Sequence, residues 1–141
     1  MARSEPQVAA ERELCGLVNG LANQISAHIR VRAAKLGLTV AQATALRELT
    51  GPMTMSELAE RMSCEPSNAT VVVDKLENQG LLERRPHPTD RRAKQLILTS
   101  GGNELRERLL TLLRQESPLA GLTQQEQNEL HDLLERAVTQ D

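Results

Sequence analysis

Aliphatic residues recur at three- and four-residue intervals in six stretches of this 141-residue chain. That spacing brings the apolar side chains onto one face of an α-helix. In the first stretch the pattern includes Leu14, Leu21 and Ile29, and Gly37 is a natural end for the helix. The predicted helices cover residues 8–36, 39–50, 54–62, 66–79, 102–116 and a sixth stretch that begins after Thr123. The spacing therefore predicts a mainly α-helical chain.

Three of these helices are preceded by a threonine, with Gln or Glu three residues further along. The pairs are Thr39 with Gln42, Thr54 with Glu57, and Thr123 with Glu126. In a capping box, the side chains of both residues accept backbone N–H groups at the start of the helix. These pairs therefore predict where three helices begin, and Pro66 suits the first turn of a fourth.

Two short segments with strand-like composition lie between the fourth and fifth helices. They cover residues 81–85 and 95–99, and the stretch between them is polar and rich in turn residues. The predicted β-hairpin follows two helices, 54–62 and 66–79, that are joined by a tight turn. In a helix–turn–helix of this kind, the second helix enters the major groove of DNA with its N-terminal part. The hairpin would then reach along the phosphate backbone or into the minor groove.

Basic residues are concentrated in the predicted hairpin, although the whole chain is close to neutral. It has 17 Lys and Arg against 19 Asp and Glu, which excludes a polycation. Residues 79–100 carry a net charge of +3, whereas residues 115–141 carry −5. A run of charge is often only a solvated face. Its position in a turn between two strands favours contact with DNA phosphates instead.

The composition excludes several other classes of protein. Phe, Trp and Tyr are absent, so no aromatic ring is available to stack a base, a sugar or a flavin. The longest apolar run has three residues, which is too short for a transmembrane helix. Two cysteines make no disulfide framework, and the first residues have no signal-peptide core, so we predict a cytoplasmic protein. Because there is no phosphate-binding Gly loop, metal-ligand cluster or nucleophile–base motif, we expect no enzyme activity, metal or cofactor.

Five segments in the middle of the chain resemble the MarR family of bacterial transcription regulators. They are Leu58–Met62, Pro66–Thr70, Val73–Glu77, Gly80–Arg84 and Asp90–Lys94, the last continuing to Leu98–Thr99. The similarity extends over residues 38–102, and the helical ends fit the dimerisation region of the family. It implies a winged helix–turn–helix homodimer that binds a pseudo-palindromic operator in duplex DNA. Family members are usually repressors whose hold on DNA is relaxed by a small molecule or by oxidation.

The resemblance also implies a role for the tip of the hairpin, which is called the wing. In the family, the arginine two residues after an aspartate enters the minor groove. This arginine corresponds to Arg92, and Asp90 is expected to orient it through a charge-assisted bond. The alternative is that the two residues only stiffen the turn. His87, also in the wing, contacts either a phosphate or only solvent.

The predicted helix 66–79 presents polar residues on the face opposite its apolar stripe. Ser67 and Thr70 can donate hydrogen bonds to phosphates or bases, and Asn68 can pair with adenine. Val71 either contacts a thymine methyl group or is an ordinary surface residue. With the wing, the predicted DNA contacts are Ser67, Asn68, Thr70, Val71, Arg84, Arg85, Asp90, Arg91, Arg92 and Lys94.

This helix differs from a recognition helix that is rich in basic residues. It has no Arg or Lys in its first two turns, and residues 41–78 carry a net charge of −3. Affinity would therefore depend on the wing and on backbone amides at the start of the helix. The acidic segment leaves an alternative open, a protein-interaction module that docks a partner through its Leu-rich ends. The Arg-rich wing favours DNA binding.

We predict a single domain over residues 1–141. Residues 38–100 would form the DNA-binding lobe, and residues 8–36 and 102–141 would form the dimerisation helices. The helical ends are too apolar to be stable alone, and a second copy of the chain would bury them. The alternative is a monomer whose ends pack on its own middle.

Two cysteines and three polar residues are candidates for regulation. Cys15 is similar in placement to the peroxide-sensing cysteine of the organic-hydroperoxide branch of the MarR family. The tyrosines that hold the thiolate there are absent, and the neighbouring acids oppose a thiolate, so a small buried hydrophobic residue is favoured. Cys64, before the fourth helix, is a second candidate for oxidation. The family also implies a cleft for a small effector, here with His28, Arg30 and Arg32 as polar groups.

Overall fold

The computed structural model describes residues 2–139, which form six α-helices and a two-stranded antiparallel sheet. The elements are α1 (Glu5–Lys35), α2 (Val40–Glu48), α3 (Met55–Arg61), α4 (Pro66–Asn78), β1 (Leu82–Pro86), β2 (Lys94–Leu98), α5 (Ser100–Arg114) and α6 (Gln124–Val138). The prediction of a mainly helical winged helix is confirmed. Each strand is displaced by one residue from its predicted position, and the helix boundaries differ from the predicted ones by at most three residues.

The chain divides into two compact units. The first contains the residues up to Ile25 together with those from Glu116, and the second is Ser26–Gln115. Helix α1 contributes to both units. The predicted DNA-binding lobe, residues 38–100, lies wholly within the second. The single-domain assignment stays a prediction.

The core of the second unit is built from aliphatic side chains of α2 to α5 and of both strands, together with Ile29 and Ala33 from the C-terminal part of α1. Burying one Leu or Val stabilises a fold by roughly 1.5–3 kcal/mol relative to leaving it exposed. On α4 the predicted inward residues are the ones that are buried. The largest fully buried side chains are Leu46, Leu58, Val73, Leu76, Leu82, Leu96 and Leu109.

Threonines begin four of the helices. Thr39 and Thr123 form complete capping boxes with Gln42 and Glu126, as predicted. The Thr54 side chain accepts the backbone N–H of Glu57 at 3.2 Å. Thr99, which the sequence did not single out as a cap, accepts the N–H of Gly102 and begins α5. These bonds satisfy amides that have no partner within their helix.

Two arginines satisfy the carbonyl groups at helix C-termini. Arg106 on α5 donates from Nε to the Leu46 carbonyl at 2.9 Å and from Nη2 to the Arg47 carbonyl at 3.0 Å, at the end of α2. Arg32 on α1 donates to the carbonyls of Leu112 and Gln115 at the end of α5. A cation at this position also complements the helix dipole.

The wing is anchored at its root by backbone contacts. Strand β2 pairs with β1 from Leu82 opposite Leu98 to Pro86 opposite Lys94. Its other edge meets Met53, whose N–H and carbonyl both bond to Leu96, at 3.3 and 2.7 Å. A Cβ atom at Gly102 would lie 2.0 Å from the Leu81 carbonyl oxygen, so only glycine permits this approach of α5 to the wing.

The first unit leaves much of its apolar surface exposed. Helix α6 has no buried residue, and Leu133 is 59% exposed. On α1, Leu14 and Leu17 are 60% and 68% exposed, whereas Ile29 is buried. The apolar face predicted for α1 is therefore covered within this chain only near its C-terminal end. None of the helices among residues 2–139 is long and apolar enough to cross a membrane.

Candidate nucleic-acid interface

The start of α4 presents the predicted base-reading residues to solvent. Ser67, Asn68 and Val71 are exposed. Thr70 is half-buried, and its hydroxyl donates to the Pro66 carbonyl at 2.9 Å. Thr70 is thus engaged with its own helix, while the other three side chains are available to a ligand. Their roles in binding DNA stay predictions.

Arg84 connects the wing to α4. Its Nη2 lies 2.6 Å from Asp74 Oδ1, and its Nη1 lies 3.2 Å from Glu77 Oε1. The Arg84 side chain is 28% exposed, and the pair to Asp74 is a charge-assisted hydrogen bond. Arg84 therefore compensates two of the acids that make the helix–turn–helix segment negative. The geometry favours a positioning role over direct contact with DNA.

The remaining cations of the wing differ in their partners. Arg85 is exposed and pairs with Glu83 on its own strand at 2.9 Å. Within the part of the chain that the structure describes, the side chains of Arg91, Arg92 and Lys94 make no hydrogen bond or ion pair. Three cations without counter-ions thus lie together at and beside the tip of the wing. Phosphates are the natural partners of such a cluster.

Asp90 contacts the backbone of Arg92 and not its side chain. Oδ1 of Asp90 accepts the Arg92 backbone N–H at 3.0 Å. The expected charge-assisted bond to the guanidinium is therefore not formed. The reason is local, because a short turn leaves backbone amides unpaired and an Asp side chain two residues back can accept them. Asp90 fixes the course of the chain, and the Arg92 guanidinium stays free.

His87 is the residue of the wing whose role the sequence did not show. Its Nδ1 accepts backbone N–H groups from Thr89 at 3.2 Å and from Asp90 at 3.1 Å. The Pro- and Asp-rich composition indicated a turn, but a histidine gives no capping signal in sequence. The ring is therefore not merely solvated in the free chain, and its contact with a phosphate stays a prediction.

Arg92 and Lys94 also line a pocket of about 370 Å³ at the start of α3. Hydroxyl-bearing Thr54 and Ser56 contribute to the same lining. Cations and hydroxyl groups are the side chains that most often hold DNA phosphates. The pocket extends the basic surface from the wing to the first helix of the helix–turn–helix.

The predicted regulatory residues lie in different environments. Cys15 is exposed, so the favoured interpretation of a thiol buried within this chain is wrong. It lies on the exposed N-terminal part of α1. Cys64 is half-buried, and its backbone N–H donates to the Ala59 carbonyl. Both thiols are free.

Two of the three predicted cleft residues are engaged with α5. Nε2 of His28 lies 2.7 Å from the Leu113 carbonyl, and Arg32 donates to carbonyls of the same helix end. Arg30 is exposed. A separate open pocket of about 400 Å³ in the second unit is lined by Lys35, Leu36, Arg108, Thr111 and Leu112. None of the three predicted polar groups His28, Arg30 and Arg32 lines it.

One group of side chains has metal-ligand chemistry. His131, Asp132 and Glu135 on α6 bring their ligand atoms within 4.8 Å of one another. All three are exposed, and the histidine already lies 3.1 Å from the Asp132 carboxylate. Exposed acidic groups of this kind are common without an ion, and nothing else among the described residues points to a metal.

Comparison with known proteins shows where this arrangement recurs. Residues 38–94 match the MarR family. Over 107 residues, the chain is 32% identical to an uncharacterised HTH-type transcriptional regulator of Mycobacterium bovis, Mb0904, and the match covers 66% of this chain and 75% of that protein. The chain belongs to the MarR family.

Two further relatives extend the comparison. The HTH-type transcriptional repressor MdtR of Bacillus subtilis is 41% identical over 71 residues, which cover 49% of this chain. The match spans 46% of MdtR, so it covers about half the length of that relative. The crystal structure of a mutant of Escherichia coli MarR complexed with operator DNA aligns at a TM-score of 0.71 and 26% identity, covering 89% of this chain and 93% of that one.

Proposed function

We propose that this MarR-family chain is a homodimeric repressor that binds a pseudo-palindromic operator in duplex DNA. The observation that carries the proposal is the cluster of Arg91, Arg92 and Lys94, which have no counter-ion among the described residues and lie on the wing that follows the exposed start of α4. In this arrangement α4 reads the major groove while the wing lies against the backbone and the adjacent minor groove. The DNA-binding lobe is residues 38–100.

The wing and α4 have different roles in binding. The cations of the wing and the pocket at the start of α3 neutralise phosphates, which supplies affinity without sequence preference. Asn68 and Val71 on α4 meet base edges, where an amide pairs with adenine and a methyl group packs on thymine. Because α4 carries no cation in its first two turns, most of the salt dependence of binding comes from the wing.

A second copy of this chain covers the exposed apolar residues of the first unit. The large exposed aliphatic side chains of α1 and α6 include Leu14, Leu17, Leu133 and Val138. A two-fold dimer buries the same patch on both copies. It also presents two recognition helices, which explains the requirement for a pseudo-palindrome. Residues 8–36 and 102–141 form the dimerisation region, of which residues 140 and 141 lie outside the part of the chain that the structure describes.

Release from DNA is assigned to a small molecule. The pocket lined by Lys35 and Arg108 together with Leu36 and Leu112 combines two cations with an aliphatic wall. Such a lining suits an anionic, partly apolar ligand. Oxidation is the alternative, since Cys15 is exposed and reachable by a peroxide.

The test is a titration of DNA from the upstream region of the gene against a scrambled duplex, at two salt concentrations. The label is placed on the DNA because the chain has no Trp or Tyr. Tight, salt-weakened binding to the native fragment alone supports the proposal. Equal and weak binding to both duplexes contradicts it and favours the protein-interaction module that the acidic residues of α4 leave open.

A further inference from the structure

The tip of the wing is a closed hydrogen-bonded loop that begins and ends at the strands. The His87 N–H donates to the Ala93 carbonyl, and the Ala93 N–H donates to the Asp90 carbonyl, both at 3.2 Å. Inside this loop, His87 Nδ1 accepts the N–H groups of Thr89 and Asp90. Asp90 Oδ1 in turn accepts the N–H of Arg92. Two side chains thus organise the backbone that carries Arg91 and Arg92.

The geometry fixes the chemical form of the His87 ring. Backbone N–H groups can only donate, so Nδ1 must offer its lone pair to Thr89 and Asp90. The imidazole is therefore neutral, with its proton on Nε2. A proton on Nδ1 would convert the acceptor into a donor that faces these two backbone donors and could bond only to the Thr89 hydroxyl oxygen, 3.3 Å away. Both bonds would then be lost.

We propose that His87 is a positioning residue for DNA binding, and that its neutral ring holds the wing tip in the conformation that presents Arg91 and Arg92. The inference rests on the proposed function of the wing. Protonation of His87 releases the backbone of Thr89 and Asp90, and with it the carboxylate that fixes Arg92. DNA binding consequently weakens when Nδ1 of His87 can no longer accept these two amides.

Whether the affinity for DNA falls or rises at low pH distinguishes this role from a direct phosphate contact. The charged residues beside His87 are Asp90 in the same loop, Arg85 at the end of β1 and Lys94 on β2, with Arg91 and Arg92 beyond. A protonated His87 ring would add a positive charge to these five charged residues. If the ring touched a phosphate, the protein would therefore bind DNA more tightly at low pH. A ring that caps the loop has the opposite effect.

The first arm of the experiment examines the free protein by NMR. The ¹⁵N shifts of the His87 ring should report a proton on Nε2 at pH 7.5. The amide signals of Thr89, Asp90 and Arg92 should move together as the ring is protonated. In His87→Asn, whose side-chain oxygen can accept the same amides, they should stay near their native positions and not follow pH. A proton on Nδ1, or amides that ignore the titration, would overturn the proposal.

The second arm measures the affinity for the operator fragment at pH 7.5 and pH 5.5. His87→Ala should bind about three- to tenfold more weakly than the native protein at pH 7.5, the loss expected from neutral hydrogen bonds of ordinary strength. His87→Asn should retain native affinity. The native protein should lose affinity at pH 5.5 relative to His87→Asn. Tighter native binding at pH 5.5, or native affinity in His87→Ala, contradicts the proposal.

The two arms also separate this inference from the proposed function. If the native protein shows no sequence preference at pH 7.5, the proposed function fails, whatever the NMR signals of the loop show. If specific binding is present and only the His87 variants behave differently from expectation, the positioning role alone fails.

Discussion

Nη2 of Arg84 lies 2.6 Å from Oδ1 of Asp74, so the first strand of the wing is bonded to the helix that we propose to read DNA. The same guanidinium reaches Glu77 one turn further along α4. The two ion pairs therefore form a side-chain link between the wing and α4. The two acids near the proposed DNA surface are also compensated before any phosphate arrives.

Arg84→Ala should weaken operator binding by about tenfold, or 1.4 kcal/mol, because it frees the wing and leaves Asp74 and Glu77 uncompensated. The free energy of unfolding should fall by only about 1 kcal/mol, since the pair is partly exposed. The measurements are DNA titration and urea unfolding of the same variant. The double variant with Asp74→Asn should recover part of the affinity. Purely additive losses would show that the two residues act independently.

Arg92→Ala should remove most of the specific binding, a loss of about 10- to 100-fold, while the unfolding curve stays native. The guanidinium has no partner among the described residues, so its removal breaks no bond seen there. Arg85→Ala is the matched control, because Arg85 already pairs with Glu83 on an exposed strand. Equal effects of the two substitutions would argue against a special role for Arg92.

Asn68→Ala should change the preferred DNA sequence more than the stability of the fold. The side chain is exposed at the start of α4 and can pair with adenine. Selection of binding sites from a random duplex library, with native protein in parallel, measures the preference. Val71→Ala, assayed in the same way, distinguishes a thymine methyl contact from an ordinary surface residue. An unaltered consensus for Asn68→Ala would contradict the predicted contact.

Gly102→Ala should destabilise the protein by about 3 kcal/mol or more, because its Cβ would meet the Leu81 carbonyl and force a backbone shift. Gly101→Ala is the adjacent control. A Cβ there meets only Thr99 Oγ1 at 3.8 Å, and helix propensity favours alanine. Thermal unfolding of both variants should therefore give opposite signs. Equal stability would mean that α5 can move away from the wing at no cost.

Leu133→Glu should convert a dimer into a monomer with a native second unit. Leu133 is 59% exposed on a helix without a buried residue, so the substitution should hardly change the free energy of unfolding of a single chain. In the proposed dimer, however, it would bury a charge. Sedimentation equilibrium measures the mass, and Gln124→Glu on the same helix is the charge control. A native protein that is already monomeric at micromolar concentration would contradict the dimer itself.

The sequence predicted the elements of the second unit well, because periodicity and caps are local signals. The apolar stripe of α4 and the capping boxes at Thr39 and Thr123 are present as expected. The wing tip was less predictable. Composition identified a turn, but only the three-dimensional structure shows that the side chains of Asp90 and His87 accept backbone amides. The burial of Cys15 was also misjudged, since neighbouring acids argue against a reactive thiolate but do not show whether this chain covers the thiol.

The Met53 bridge has a mechanical consequence for the wing. Strand β2 is paired with β1 on one edge and bonded to Met53 through Leu96 on the other, whereas beyond Pro86 the bonds that hold the loop join its own residues. Amide exchange should accordingly be slow at Leu96 and fast at Thr89, and the stiffness of the wing should fall from root to tip. Such a gradient would let the tip adapt to operators with different groove widths while α4 keeps its register on the bases.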